Sequence, residues 1–340
     1  MYEVTRRRWM QAVGVGGLAV LSASRQPAYA QSGRLALYNG QHRPPVEALV
    51  AAFTKATGIE VATRNGNSAQ LASQIAEEGE RSPADVFWSE ESPSLVATAK
   101  KGLLAPLDPE TLREVPAAYS AVDGSWIGAT ARCRVVVYNK DLVERSALPP
   151  SVLDFAGEAW KGKVAFAPSS GAFQQQIMAV KILKGRDAAL SWLQGLAENG
   201  EVYNSDSAAV EAVEAGDIAV ALSNNYYWHA LAREIGEADM NSALYNIGHG
   251  DPGTLITVSG AGVLKTAPNA QAAQRFVAFM VSAEGQAAMV GAIAEYPLRP
   301  GIVSPFPLTP FAKLDPAPVT PAELGDAEEA LVLLREANLA

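Results

Sequence analysis

Two adjacent tyrosines, Tyr226 and Tyr227, lie in the run Asn224-Asn225-Tyr226-Tyr227-Trp228 and are well suited to bind a hard cation. A free tyrosine has a pKa near 10, so it becomes a phenolate ligand at neutral pH only when a strong Lewis acid displaces its proton. A trivalent cation such as Fe³⁺ can do this, as metals do to coordinated water and thiols. Paired tyrosines also serve as packing residues, or as a stacking wall for a sugar or an amine. The pair by itself leaves these interpretations open.

Short apolar runs alternate with helical patterns along the chain, and this order predicts a mostly parallel sheet covered by helices. Helix 44–57, for example, begins with a proline pair and stops at Gly58. The predicted strands are 34–38, 59–63, 85–88, 134–138, 163–166, 218–222 and 255–258. The predicted helices are 44–57, 68–78, 92–101, 173–183, 187–198, 207–215 and 270–281, followed by a proline-rich strap over 297–321 and a last helix over 321–337.

Polar residues follow four of the predicted strands. In open α/β sheets, ligands gather at the carboxyl ends of strands, so these residues are candidates for a binding site. Each has an ordinary alternative: a helix cap for the serines, a surface carboxylate for Glu90 and a solvated loop residue for His42. The four segments are 39–42, 89–91, 169–173 and 224–227.

The first thirty residues carry the pattern of an export signal. Thr5-Arg6-Arg7-Arg8-Trp9-Met10 matches the twin-arginine motif, and Ala28-Tyr29-Ala30 forms a small-x-small cleavage site. A membrane anchor is the alternative, but the weakly apolar stretch over 12–23 is too short to span a bilayer, which takes roughly 20 residues. We therefore predict a signal peptide over 1–30 and export to the periplasm by the twin-arginine pathway.

Composition limits the remaining classes of function. Removing 1–30 leaves 310 of the 340 residues, more than one core normally holds, so two lobes are expected. The formal charge changes from −9 to −12, because this segment contains four arginines and one glutamate. An acidic surface repels DNA and acidic lipid, which makes nucleic acid a poor partner. The single cysteine, Cys133, excludes an intramolecular disulfide and a thiolate zinc site, and it is expected to be packed rather than reactive.

The chain resembles the periplasmic ferric-ion-binding proteins, the soluble receptors of bacterial iron ABC importers. The resemblance runs in order across nearly all of the chain after residue 30, and the paired tyrosines with the early Asn-Gly-Gln-His are its most specific parts. The matching segments are Tyr38-Asn39-Gly40-Gln41-His42, Pro83-Ala84-Asp85-Val86-Phe87-Trp88-Ser89-Glu90, Arg134-Val135-Val136-Val137-Tyr138, Trp160-Lys161-Gly162-Lys163, Ser170-Gly171-Ala172-Phe173, Asn224-Asn225-Tyr226-Tyr227-Trp228 and Glu295-Tyr296-Pro297-Leu298-Arg299.

This resemblance implies an α/β, two-lobed periplasmic binding protein of type II-like architecture. Two mixed sheets flanked by helices would be joined by a two-strand hinge, near 132–135 and 255–259. The N-terminal lobe would comprise 31–132 plus 258–305. The C-terminal lobe would comprise 133–257 plus 306–340, including the strap and the last helix.

The resemblance also implies the iron ligands His42, Glu90, Tyr226 and Tyr227. One carboxylate and two phenolates offset a 3+ charge, and imidazole supplies a neutral nitrogen. Four protein donors leave two octahedral positions for water or for an anion, phosphate or carbonate. His229 and His249 are poor ligand candidates, because the first is expected on the following helix and the second lies in a glycine-rich loop.

The same resemblance places the anion at Ser170, Gly171 and Ala172, where a helix start favours negative charge, and at Asn224. The family's other anion-binding asparagine aligns with Asp206, whose carboxylate would repel phosphate by roughly 1–4 kcal/mol at 4 Å. Either Asp206 points away as the cap of a helix beginning at Ser207, or the anion is less charged or absent. We expect the cap.

Three classes of function fit these residues. The first is a non-catalytic, monomeric receptor that binds Fe³⁺ between its lobes and delivers it to an inner-membrane ABC permease with its ATPase, without inserting into the membrane. The second is the same fold binding an oxyanion, a polyamine, an organic acid or a divalent metal. The third is an exported metalloenzyme. We expect the first, because hard anionic oxygens suit Fe³⁺ and no catalytic triad, zinc-protease helix or phosphate loop is recognisable.

Overall fold

One strand of thirteen residues, Ile127–Asn139, is buried along its whole length and connects the two halves of the protein. The computed structural model describes residues 34–340. The predicted signal peptide over 1–30 lies outside the described residues.

The described residues form a sheet of eleven strands. Eight of them follow one another in the order β2-β1-β3-β10-β5-β8-β6-β7, and three short strands pair beside this path. Strand β1 is parallel to β2 and β3, whereas β10 is antiparallel to β3 and β5, so the sheet is mixed. The strands are β1 (Arg34–Asn39), β2 (Glu60–Asn65), β3 (Val86–Ser89), β4 (Leu104–Ala105), β5 (Ile127–Asn139), β6 (Val164–Phe166), β7 (Glu201–Val202), β8 (Val220–Asn224), β9 (Ser242–Tyr245), β10 (Ile256–Leu264) and β11 (Tyr296–Pro297).

Strand β5 changes partners halfway along its length. Up to Cys133 it pairs with β10, and from Arg134 it pairs with β8 and β9. The Arg134 amide also donates to the carbonyl of Leu255, just before β10, at 2.8 Å. The two segments expected to cross between the lobes therefore lie side by side.

Twelve α-helices cover this sheet within the described part of the chain, together with a few 3₁₀ turns. They are α1 (Arg43–Thr57), α2 (Ser68–Glu78), α3 (Ser92–Lys100), α4 (Pro109–Leu112), α5 (Gly171–Lys184), α6 (Arg186–Asn199), α7 (Asp206–Ala215), α8 (Asn225–Ile235), α9 (Ala270–Met280), α10 (Ala283–Ala292), α11 (Phe311–Leu314) and α12 (Glu328–Glu336).

Local signals account for most of these helices, and two departures have a physical reason. Helix α10 was not predicted, since its apolar residues are mostly small and do not form one stripe along the helix. The last helix begins at Glu328 rather than at 321, because Thr320 and the residues after it form turns in which Thr320 and Glu323 hydrogen-bond each other.

Two apolar clusters fill the layers between sheet and helices. The first joins Phe53 of α1 and Phe276 of α9 with Phe87 of β3, in the β1–β3–β10 half of the sheet. The second packs Phe166 and Phe173, with ring centroids 5.4 Å apart, against the other half. Both clusters support the sheet edge where β1, β3 and β8 end, which is where the candidate site lies.

Cys133 supplies a test of this core. Its side chain has no exposed surface, and burial raises the pKa of the thiol to about 12, although the charge of Arg134 partly opposes the shift. The thiolate, and not the thiol, attacks a disulfide reagent, so the native protein should not react with such a reagent at pH 8, whereas the denatured protein should react fully. Spectrophotometric thiol counting measures both states. Rapid reaction of native protein would mean that β5 is accessible to solvent.

Candidate metal centre

The paired tyrosines lie in the first turn of α8, directly after β8. Asn225, the first residue of that helix, anchors the turn on both sides. Its side-chain oxygen accepts from the Cys133 amide at 2.9 Å, and its side-chain nitrogen donates to the Ala294 carbonyl at 2.9 Å. Tyr226 and Tyr227 therefore start from a backbone that is fixed against β5 and against the segment after α10.

His42 and Glu90 follow the neighbouring parallel strands β1 and β3, so both come from the same edge of the sheet. The His42 amide donates to the side-chain oxygen of Gln41 at 2.8 Å, just before α1 begins. The Glu90 amide donates to the hydroxyl of Ser68, at the start of α2, at 3.0 Å. These two backbone contacts fix where each side chain leaves the sheet.

Three of the four predicted ligands meet in a triangle. Tyr226 donates its hydroxyl hydrogen to Glu90 Oε1 at 3.2 Å, and His42 Nε2 lies 3.2 Å from the same hydroxyl. His42 Nε2 is 3.1 Å from Glu90 Oε1. Neighbouring donors around an octahedral ion at about 2.1 Å lie about 3 Å apart, so these spacings suit ligands of one ion. The ring of Tyr227 is 4.2 Å from that of Tyr226 and 6.1 Å from that of His42, between centroids.

The ionisation of the cluster follows from its burial and its charges. Burial would raise the pKa of Glu90, but His42 and Arg132 outweigh it and lower that pKa to about 2. Burial lowers the pKa of His42, and the adjacent Glu90 carboxylate more than offsets this, so the pKa is raised. Burial also raises the pKa of both Tyr226 and Tyr227. The neighbouring Tyr227 adds to the shift of Tyr226, and the carboxylates of Asp206 and Glu90 add to the shift of Tyr227. Both phenols therefore keep their protons until a strong Lewis acid displaces them.

Arg132 is part of the centre, although the sequence did not single it out. It is 1% exposed, and its Nη2 lies 3.5 Å from Glu90 Oε1 and 3.7 Å from Glu295 Oε1. Its guanidinium group also lies over the ring of Tyr226, 5.7 Å from the centroid. Glu295 in turn accepts from Thr130 and, at 3.4 Å, from Gln41. Arg132 thus holds the Glu90 carboxylate in place and offsets its charge.

The residues predicted to hold an anion line a small cleft beside these ligands. Its volume of about 170 Å³ is below the roughly 300 Å³ of sites for drug-sized molecules, so it suits a small ion. Ser170 precedes α5 without a capping side-chain bond, and the first amides of a helix have no partner inside the helix. The lining includes Glu90, Glu91, Ser170, Gly171, Ala172, Asp206, Asn224, Tyr226 and Tyr227.

The prediction that Asp206 caps a helix beginning at Ser207 is wrong. Helix α7 begins at Asp206 itself, and the cap is Ser205, whose hydroxyl accepts from the Ala208 amide at 3.1 Å. Ser205 has the extended backbone that a cap needs, whereas Asp206 is already helical. The Asp206 carboxylate lines the cleft and pairs with the buried Arg134, 3.1 Å from its Nη1.

Glu91 also reaches this cleft, and the sequence marked it only as a member of the polar segment 89–91 that follows a predicted strand. Its carboxyl group lies so close to Gly171 that a β-carbon on residue 171 would overlap it. Burial raises the pKa of Glu91 to about 8, with a further contribution from the charge of Glu90. A second acidic side chain therefore lies at the start of α5.

The remaining histidines stay apart from the centre, as predicted. His229 lies on α8, and burial lowers its pKa to about 4. His249 lies in an exposed turn beside Asp315. Residues 34–340 contain no grouping of three or more His, Cys, Asp or Glu side chains that could hold a metal, since the candidate centre combines one histidine and one glutamate with tyrosines. Over the same residues, no helix is both long and apolar enough to cross a bilayer.

The pair between Asp206 and Arg134 leads to a stability prediction. Replacing Asp206 with Asn should lower the free energy of unfolding by about 3 kcal/mol, because it leaves a fully buried arginine without its anionic partner. Denaturant unfolding measures this change. The control Ser205→Ala removes only the cap and should cost about 1 kcal/mol. A wild-type stability for Asp206→Asn would contradict the pairing.

Comparison with known proteins places the chain in a family. Residues 48–318 match the family model of the bacterial extracellular solute-binding proteins. The major ferric iron-binding protein of Neisseria meningitidis serogroup A is 45% identical over 326 residues, covering 94% of this chain and 98% of that protein. The Fe(3+)-binding periplasmic protein of Serratia marcescens is 37% identical over 332 residues, covering 96% and 98%.

A solved structure confirms the architecture. Iron-bound HitA from Pseudomonas aeruginosa superposes with a TM-score of 0.87 at 49% identity, covering 90% of this chain and 99% of that one. The predicted α/β, two-lobed, type II-like fold with mixed sheets and flanking helices is therefore confirmed, and so is a solute-binding role rather than an enzymatic one. The chain belongs to the bacterial extracellular solute-binding proteins, among their periplasmic ferric-ion-binding members.

Proposed function

We propose that this protein binds Fe³⁺ through His42, Glu90, Tyr226 and Tyr227 and delivers it to an inner-membrane ABC permease with its ATPase. The observation that carries the proposal is the triangle of donor atoms, with sides of 3.1 to 3.2 Å, formed by His42, Glu90 and Tyr226. The names of its relatives support the same cargo.

The donor types favour a trivalent ion. Two phenolates and one carboxylate carry three negative charges, which balance Fe³⁺ and would overcompensate a divalent ion. Hard oxygen donors also disfavour soft metals, which prefer sulfur ligands. The cleft of about 170 Å³ beside the ligands suits a small ion, although cavities of about 420 and 570 Å³ adjoin the same residues. These features rank Fe³⁺ above the divalent metals, polyamines and organic acids that the same fold could carry.

We further propose the lobe boundaries expected from the sequence, 31–132 plus 258–305 and 133–257 plus 306–340. His42 and Glu90 then belong to one lobe and the tyrosines to the other, so the ion bridges the cleft. Iron binding would favour the closed arrangement of the lobes, because the ion binds that arrangement more tightly than the open one. Export by the twin-arginine pathway and action as a periplasmic monomer complete the proposal, supported by the leader motif and by the periplasmic relative from Serratia marcescens.

Two coordination positions remain after the four protein donors. Water or a small anion such as phosphate or carbonate would fill them, held at Ser170, Gly171, Ala172 and Asn224. The first amides of α5 support an anion there. The carboxylate of Asp206 in the same cleft disfavours one with a high negative charge.

The ligand assignment predicts a coloured iron complex. Tyrosinate bound to Fe³⁺ gives a visible charge-transfer band, so titration with ferric citrate should colour the wild-type protein. The double variant Tyr226→Phe with Tyr227→Phe should stay colourless and should not bind iron, because it lacks both phenolates. Visible absorption and metal analysis after gel filtration measure the two properties.

A matched control removes two other tyrosine hydroxyls, by Tyr119→Phe with Tyr245→Phe, and should leave colour and binding unchanged. Both double variants should keep the far-ultraviolet circular dichroism of the wild type. Tight Fe³⁺ binding by a colourless wild-type protein would rule out this site.

Iron should also make the particle more compact. The donors of the two proposed lobes meet in this structure, and without a cation to hold them the lobes are expected to separate more often. Small-angle X-ray scattering should therefore give a smaller radius of gyration with iron than without it. The colourless tyrosine variant should show no such change. Equal dimensions of the wild type in both states would contradict an ion that bridges the lobes.

A further inference from the structure

Glu91 joins the two halves of the cleft through its side chain. It follows Glu90 after strand β3, and its carboxyl group lies against Gly171, the first residue of helix α5. Residues 91 and 171 are far apart in sequence and belong to opposite proposed lobes. The contact would therefore form only when the two proposed lobes approach each other at this point.

Neighbouring hydrogen bonds fix the backbone from which Glu91 starts. The Ser89 hydroxyl donates to the Glu91 carbonyl at 2.6 Å, and the Glu91 amide donates back to that hydroxyl at 3.2 Å. The next residue, Ser92, donates its hydroxyl to Gln175 on α5 at 3.3 Å. The position of the Glu91 carboxyl group thus rests on a short segment that is docked onto α5.

Space at the start of α5 is the decisive constraint. In this structure the Glu91 carboxyl group occupies the space that a β-carbon on residue 171 would take, so a larger residue there would require the Glu91 side chain to turn away. The group fills this volume whether or not it carries a proton. A phosphate ion that approached the first amides of α5 would have to displace it.

The charges around the position add to this exclusion. Glu90 and Asp206 line the same cleft and repel a further anion. Two arginines lie nearby: Arg134 contacts Asp206 and Asn224, and Arg132, whose Nη1 and Nη2 have no hydrogen-bond partner among the described residues, lies 3.5 Å from Glu90. Neither arginine lines the cleft, so a multiply charged anion would enter it against the charges of Glu90 and Asp206.

We infer that the Glu91 carboxyl group is a built-in occupant of the anion position, so that this protein binds Fe³⁺ without an exogenous phosphate or carbonate. The inference rests on the proposed function. It assigns to Glu91 a role in the cleft that an external anion would otherwise fill, with water completing the coordination of the ion.

The test is an iron titration of the mature protein, followed by the tyrosinate-to-iron absorption band, with ferric nitrilotriacetate as the iron source. Each titration is run without added anion, with inorganic phosphate and with bicarbonate. Wild-type iron affinity should change less than about twofold between these conditions. Glu91→Ala frees the position, so phosphate should raise its iron affinity at least about tenfold, a change that corresponds to roughly 1.4 kcal/mol.

Two further variants make the result specific. Glu91→Ser shortens the side chain and frees the same position, so it should also gain a phosphate response if Glu91→Ala folds poorly. Glu47→Ala removes a carboxylate of the same type from the exposed face of α1 and should behave as the wild type. Thermal unfolding of each variant checks that the fold is kept.

The outcomes separate the two proposals. A wild-type protein that develops the band only with phosphate or bicarbonate would overturn the role of Glu91 and leave the iron site standing. Equal anion independence of the wild type and both Glu91 variants would overturn it as well. A wild-type protein without the band under every condition would overturn the proposed function and this inference together.

Discussion

Two buried arginines on β5 compensate the negative charge of the whole cleft. Arg132 and Arg134 are two residues apart on an extended strand, so their side chains leave it on the same side, and each is at most 1% exposed. The first lies beside Glu90 and Glu295, and the second pairs with Asp206. Buried carboxylates without a cationic partner cost several kcal/mol each. The acidic cleft can therefore form only because β5 passes between the two halves of the sheet at this point.

The same electrostatics govern which cation the centre accepts. Without a cation, Glu90 serves as the common partner of His42 and Tyr226, and both phenols remain protonated because burial raises their pKa. The binding energy of a cation must offset the loss of those hydrogen bonds and the displacement of two phenol protons. A trivalent Lewis acid does so more readily than a divalent one, since its attraction to each anionic oxygen is larger. With the proposed ligands, selectivity for a trivalent ion would depend on the burial of the donors as much as on their identity.

The anion side of the cleft is more acidic than the family resemblance implies. Asp206 faces the cleft, with its charge balanced by Arg134, and the carboxyl group of Glu91 lies on the first residue of α5. Both groups occupy space that an external anion would need, and their negative charge, when ionised, repels it. The proposed site consequently combines the ligand set implied by the resemblance to ferric-ion-binding proteins with an acidic cleft at the start of α5.

The sequence by itself determined most of the elements and named the candidate donors, because strand ends and helix boundaries have local signals. Asn67 and Gly79 delimit α2 at the predicted bounds, Ser68–Glu78, and the polar residues after β1, β3 and β8 could be named as candidates from strand ends alone. Only the tertiary structure decided the partners of Arg132, Arg134, Asp206 and Glu91. Each of these side chains meets residues distant in the sequence, and the energy of a buried charge depends on those neighbours rather than on local pattern. A helix start at Ser207 and a cap at Asp206 were thus reasonable from spacing, yet the buried Arg134 on a distant strand holds the carboxylate in the cleft instead.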